Sequence, residues 1–201
     1  MKKKKIIIAA AVLLAVFLIG GVVALFTDTD SAKNTFTVGN VKIDVEETAW
    51  DALPDTNGNN IKDAAENLVP GSTVTKDPKV TNKSTSNPAY VYLKVEAPCT
   101  TNTNKELFPF QPNSGWTLMT DGTCSGGKVT RIYNYGTASS MTSLPAGQST
   151  GTLFDSVTLA AVDSNDTYPS SIDINITGYG VQTTGLTATT PSTIWSEAQF
   201  S

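Results

Sequence analysis

Apolar and polar residues alternate over short runs along most of this chain, with Gly and Pro between the runs. A period of two marks strands that bury one face. Residues 90–97 carry the pattern most cleanly: Val91, Leu93 and Val95 point one way, and Tyr90, Tyr92 and Lys94 the other. Phe36 and Val38 share one parity while Val41, Ile43 and Val45 share the opposite one, which places a bulge or tight turn at Gly39-Asn40. Residues 73–81 read as a strand after the Pro70-Gly71 turn, with Pro78 marking an edge or an irregular stretch. Further strands are expected at 116–119, 129–135, 151–162 and 171–183, whereas only 61–67 and 193–200 look helical. Many short strands separated by turns predict an all-β fold, a jelly-roll-like sandwich of antiparallel strands.

The pattern breaks at the N-terminus. Lys2 to Lys5 form a basic block, and residues 6–25 run without a charge. That is the layout of a signal helix. Small residues before the Ala24-Leu25 bond place the cut after Ala24, and Gly20-Gly21 loosens the helix ahead of it. The run is also about long enough to span a bilayer, so retention as an anchor is the alternative. The expected organisation is a signal peptide over 1–24 and one sandwich domain over 25–201, with a turn-rich insertion at about 98–128. The destination is secretion, to the cell surface or an extracellular matrix.

Export changes what composition implies. Four of the 14 Lys and Arg lie in the leader, which leaves ten against 18 Asp and Glu, a net of −8. That balance excludes nucleic acid as an expected partner, because binding it needs a basic patch. Cys99 and Cys124 are the only cysteines, and an oxidising compartment favours a disulfide between them, two unpaired thiols being the other reading. There is no histidine. Ser-His-Asp and Cys-His machinery and the HExxH zinc motif are therefore absent from the chain, no zinc is expected, and we read the chain as a non-enzyme.

One segment carries ligand chemistry. Asp55, Asn57, Asn59, Asp63 and Glu66 put oxygen-bearing side chains at relative positions 1, 3, 5, 9 and 12, and Ile61 at position 7 offers a carbonyl. This is the spacing of an EF-hand-type loop, whose hard oxygen ligands suit calcium in a structural role. Asn60 stands where that loop places Gly, and the bland reading is a solvated Asn/Gly loop between strands. Trp50, Trp116 and Trp195 read as packing residues, and Asp28, Asp30, Asp44, Glu46 and Glu47 as a solvated acidic face.

The stretch Phe26-Thr27-Asp28-Thr29-Asp30-Ser31-Ala32-Lys33-Asn34-Thr35-Phe36-Thr37-Val38-Gly39-Asn40-Val41 resembles the start of the TasA/camelysin family. Val69-Pro70-Gly71-Ser72, Lys76-Asp77-Pro78, Val80-Thr81-Asn82 and Ala89-Tyr90-Val91 agree with it, as do residues 179–182 and 195–200. The resemblance implies surface and biofilm-matrix proteins released by a SipW-type signal peptidase. It further implies a sandwich whose mature N-terminal strand inserts into a neighbouring copy to build fibres, with copies of itself or related matrix proteins as partners. The strand in question would carry Phe26, Phe36, Val38, Val41, Ile43 and Val45; pairing of that strand within its own monomer is the alternative. The family name also carries a casein-cleaving metalloprotease activity, which a chain without histidine gives no ground to expect.

Overall fold

The strand with the cleanest alternation becomes the centre of the fold. In the computed structural model, which describes residues 27–30, 41–100, 102–169 and 172–200, β5 (Ala89–Pro98) lies between two antiparallel neighbours. These are β7 (Lys128–Tyr135) on one side and β9 (Asn175–Gln182) on the other. β1 (Thr27–Asp30) closes the sheet beyond β9, and β6 (Trp116–Asp121) closes it beyond β7, giving the order β1-β9-β5-β7-β6. Two strand pairs form the opposing layer: β2 (Ile43–Glu46) with β4 (Lys79–Asn82), and β3 (Thr73–Thr75) with β8 (Ser156–Thr158). All the pairings are antiparallel. The expected all-β sandwich is the observed one.

The core follows from the parity of β5. Val91, Leu93 and Val95 pack with Val41, Ile43, Val80, Leu153, Phe154 and Val157 between the layers. Full burial of such side chains contributes about 1.5–3 kcal/mol each. Gly180 lies opposite Val91 on β9, and a Cβ there would sit 2.9 Å from Val41 Cγ1 and 3.1 Å from Ile43 Cγ2. The missing side chain is what lets the layers close at that point.

The other face of the same strand is partly covered: Tyr92 and Pro98 are buried, whereas Tyr90, Lys94 and Glu96 keep partial exposure. Tyr92, Tyr179 and Val181 pack under α2 (Pro191–Glu197) and the residues after it, through Ile194, Trp195, Ala198 and Phe200. Tyr92 and Tyr179 meet Trp195 edge-on at 5.1 and 4.9 Å between ring centroids. The Tyr92 hydroxyl donates to the Pro191 carbonyl at 2.9 Å, and burial, reinforced by Tyr90, pushes its pKa up, so it stays a donor. α2 opens on a Thr190/Thr193 capping box with Pro191 in its first turn. Near its other end Glu197 accepts the backbone N–H groups of Thr187 and Ala188, fastening the incoming linker.

Several expectations need correcting. The stretch 73–81 is two strands in two different sheets. At the break, Lys76 pairs with Glu47 at 2.8 Å and lies 4.9 Å from the Trp50 ring centroid. Asp77 accepts the N–H groups of Ala49 and Trp50, capping α1 (Thr48–Asp51) from 27–28 residues away. Pro78 is fully buried there. The expected helix at 61–67 shrinks to a 3-10 turn at Asp63–Ala65. The expected strand at 151–162 keeps three residues in a ladder, β8. Of the acidic residues expected to form a solvated face, Asp44, Glu46 and Glu47 each pair with a lysine, and the side chains of Asp28 and Asp30 lie outside the described ones. Asp44 meets Lys83 at 2.5 Å, Glu46 meets Lys79 at 3.5 Å, and Glu47 meets Lys76.

Gly180→Ala should lower stability by about 1–3 kcal/mol through overpacking, read as a fall in the denaturant midpoint. The Glu197 carboxyl is held below its ordinary value near 4.5, first by the Thr187 N–H and then by that of Ala188. A lowered folded-state pKa means stability that is present above the ordinary value and lost as pH falls through the folded value. Glu197→Gln should therefore be less stable than the parent at neutral pH, and the two melting temperatures should converge in acid.

Candidate functional site

Three features hold functional interest: the 55–66 loop, the cysteine pair and the N-terminal strand edge. The loop is built by its own short polar side chains. Asp55 accepts the N–H of Gly58 at 2.8 Å and of Asn60 at 2.9 Å. Asn57 accepts from Asn59 N–H at 3.1 Å, and Asn59 from Ile61 N–H at 2.8 Å. Asx side chains bonding the backbone two residues on are the means by which such residues turn a chain. Gly58 at φ 71° and Asn60 at φ 66° take left-handed turns, a conformation Asn tolerates better than most residues.

Glu66 closes the loop. One of its oxygens accepts the side-chain amides of Asn57 at 2.8 Å and Asn59 at 2.6 Å. Asp63 folds back on Thr56, accepting its N–H and its hydroxyl at 2.9 Å each. Lys62 reaches the carbonyls of Asp51 and Leu53 at 3.0 Å, tying the loop to the end of α1. The structure thus joins Asn57 and Asn59 to Glu66, while Asp55 holds the turn through the Gly58 and Asn60 N–H groups, Asp63 bonds Thr56, and Ile61 lies exposed. Among the described residues, no three His, Cys, Asp or Glu side chains gather in a metal-holding group.

Cys99 and Cys124 form a disulfide, with Cα atoms 6.1 Å apart. It fastens the residue after β5 to the β6–β7 connection, next to an antiparallel bridge between Cys99 and Glu106. Arg131 strengthens the same corner by pairing with Glu106 at 2.6 Å and Asp121 at 2.7 Å. The separation of 25 residues places the cross-link where it restrains a long loop in the unfolded chain.

At the N-terminal edge, β1 pairs with β9 from Thr27↔Val181 to Asp30↔Gly178. Of the strand expected to mediate assembly, Val41 and Ile43 are buried in the core and Val45 packs against it. Phe26, Phe36 and Val38 lie outside the described residues, as do the leader and the Ala24-Leu25 bond. No helix among the described residues is long and apolar enough to cross a membrane.

The family model of the camelysin metallo-endopeptidases matches residues 1–107, more than half of the 201-residue chain. The chain belongs to the camelysin family. The match runs from Met1 to Leu107, through β1 to β5 and the 55–66 loop. The β6–β9 strands, α2 and Cys124 lie beyond it, so the disulfide joins a matched part of this camelysin-family chain to an unmatched one. No curated protein and no solved structure matches the chain.

A zinc hydrolase of the usual kind draws on His, Cys thiolate and carboxylate ligands. This camelysin-family chain has no histidine, and its two cysteines are joined to each other. The residues present do not fit such a centre. The 55–66 loop offers only oxygen donors, which fit calcium.

Sequence reasoning missed the carboxylate–lysine pairs along β2 and β4, because nothing local joins Asp44 to Lys83 or Glu47 to Lys76. Replacing Cys99 and Cys124 together by Ser should cost about 3 kcal/mol, measured as a drop in unfolding free energy.

Proposed function

We propose that this chain is an exported structural subunit of the cell surface or biofilm matrix that assembles by lending its N-terminal strand to a neighbouring copy. The observation that carries the reading is the place of β1. It is an edge strand of four residues, first among the described elements, and its ladder partner is β9 alone. A β1 from a second copy meets the same β9 groups in the same register. Exchange therefore keeps every backbone hydrogen bond and changes only the chain that supplies it. Each copy that receives a strand also offers its own, a head-to-tail contact that propagates as a filament. Family membership and the basic, apolar leader support export and processing by a SipW-type peptidase.

The rival reading is a monomeric surface module. It draws on the pairing of β1 with β9 and of β2 with β4 within one chain. In both readings calcium has a structural role: Asp55, Asn57, Asn59, Asp63 and Glu66, with the Ile61 carbonyl, hold it and order the loop. Binding and assembly, not hydrolysis, are the role we assign. The absence of histidine supports this, because it removes the commonest zinc ligand and general base.

Electron microscopy and light scattering of the chain beginning at Leu25 test the reading. Regular filaments are expected, with a lower melting temperature on chelation, and deletion of residues 25–38 should leave single small particles. Filaments formed by the deleted chain would contradict strand donation. A melting temperature indifferent to calcium and chelator would remove the metal.

A further inference from the structure

The Cys99–Cys124 disulfide joins two residues in unlike surroundings. Cys99, next after β5, is 4 % exposed. Cys124 is half-buried between exposed Thr123 and Ser125, in the β6–β7 connection. We infer that Cys124 is an attachment site for a small external thiol, taken up by exchange with the disulfide while the fold stays intact.

Access decides which sulfur is attacked. A thiolate adds to the disulfide sulfur it can reach and expels the other. Leaving-group ability favours expelling the better-solvated sulfur, but a sulfur that the thiol cannot reach is not attacked at all. The exchange needs no oxidant. The incoming thiolate sulfur bonds to Cys124 Sγ, and the bond from that atom to Cys99 Sγ breaks. The electron pair leaves with Cys99 Sγ, which takes a proton from solvent. The small thiol is oxidised to the disulfide level and Cys99 is reduced.

Contacts other than the disulfide hold the corner once it opens. The Cys99 N–H donates to the Gly127 carbonyl at 2.9 Å, and the Leu107 N–H to the Pro98 carbonyl at 2.9 Å. Arg131 joins Glu106, which faces Cys99 in an antiparallel bridge, to Asp121 at the end of β6. These bonds span the same two segments as the cross-link, so its opening does not part β6 from β7. Nor does it reach the β1 ladder. β1 faces residues 178–181 of β9, which pair with residues 90–93 of β5, at the end of that strand away from Cys99. Thiol uptake and strand donation are therefore independent.

The full chain in mild detergent is treated with reduced glutathione, sampled before the reaction is complete, quenched in acid and mapped by peptide mass spectrometry. A second sample is treated in denaturant. In the folded chain the glutathione adduct should sit on Cys124, with Cys99 left as a free thiol, and near-UV circular dichroism should keep its folded signal. In denaturant, where both sulfurs are reachable, both should carry adduct. A folded chain with its adduct on Cys99, or with the same distribution as the denatured one, would overturn the inference. So would a folded chain that takes up no glutathione, or one that loses its near-UV signal as it does.

Discussion

Everything in this molecule hangs on a central strand buried on one face and partly covered on the other. β5 sends Val91, Leu93 and Val95 into the space between the layers and Tyr92 into a second cluster beneath α2. An antiparallel strand in a sandwich ordinarily keeps one face for water. Here the C-terminal segment covers that face around Tyr92, so strand, helix and tail are stabilised together. The glycine at position 180 serves the same end from the neighbouring strand, by letting Val41 and Ile43 lie close against the sheet.

That arrangement leaves the sheet's ends as its adaptable parts. The two edge strands differ. β6 carries a register shift between Leu118 and Thr120, the kind of irregularity that discourages another strand from pairing there. β1 is short, regular in register and terminal among the described elements. The proposed exchange of this element between copies would leave the core that β5 organises in place. The proposed assembly therefore asks nothing of the rest of the fold beyond an available β9 edge.

How much was legible in the sequence depends on how local each cause is. The period-two run at 90–97 fixes β5 and its faces, because alternation is a property of neighbours. The terminal helix was legible for the same reason, and lies at Pro191–Glu197. The split of residues 73–81 was half legible. Pro78 announced the irregularity, but Asp77 reaching α1 and Lys76 reaching Glu47 are contacts across almost thirty residues. In the 55–66 loop the Asx turns and the left-handed Asn60 follow from residue type. The closure by Glu66 onto Asn57 and Asn59 shows only once the loop is folded. The cysteine pairing left two readings open, and geometry decided for the disulfide.

The central claim is that the strand on β9 comes from another chain in the assembled state. The facing pair Thr27 and Val181 gives the most direct measurement. With Thr27→Cys and Val181→Cys introduced together and the sample oxidised after assembly, a non-reducing gel reports which chain supplies the strand. The account predicts a ladder of covalently joined chains. Cross-links confined to single chains under every assembly condition would contradict it.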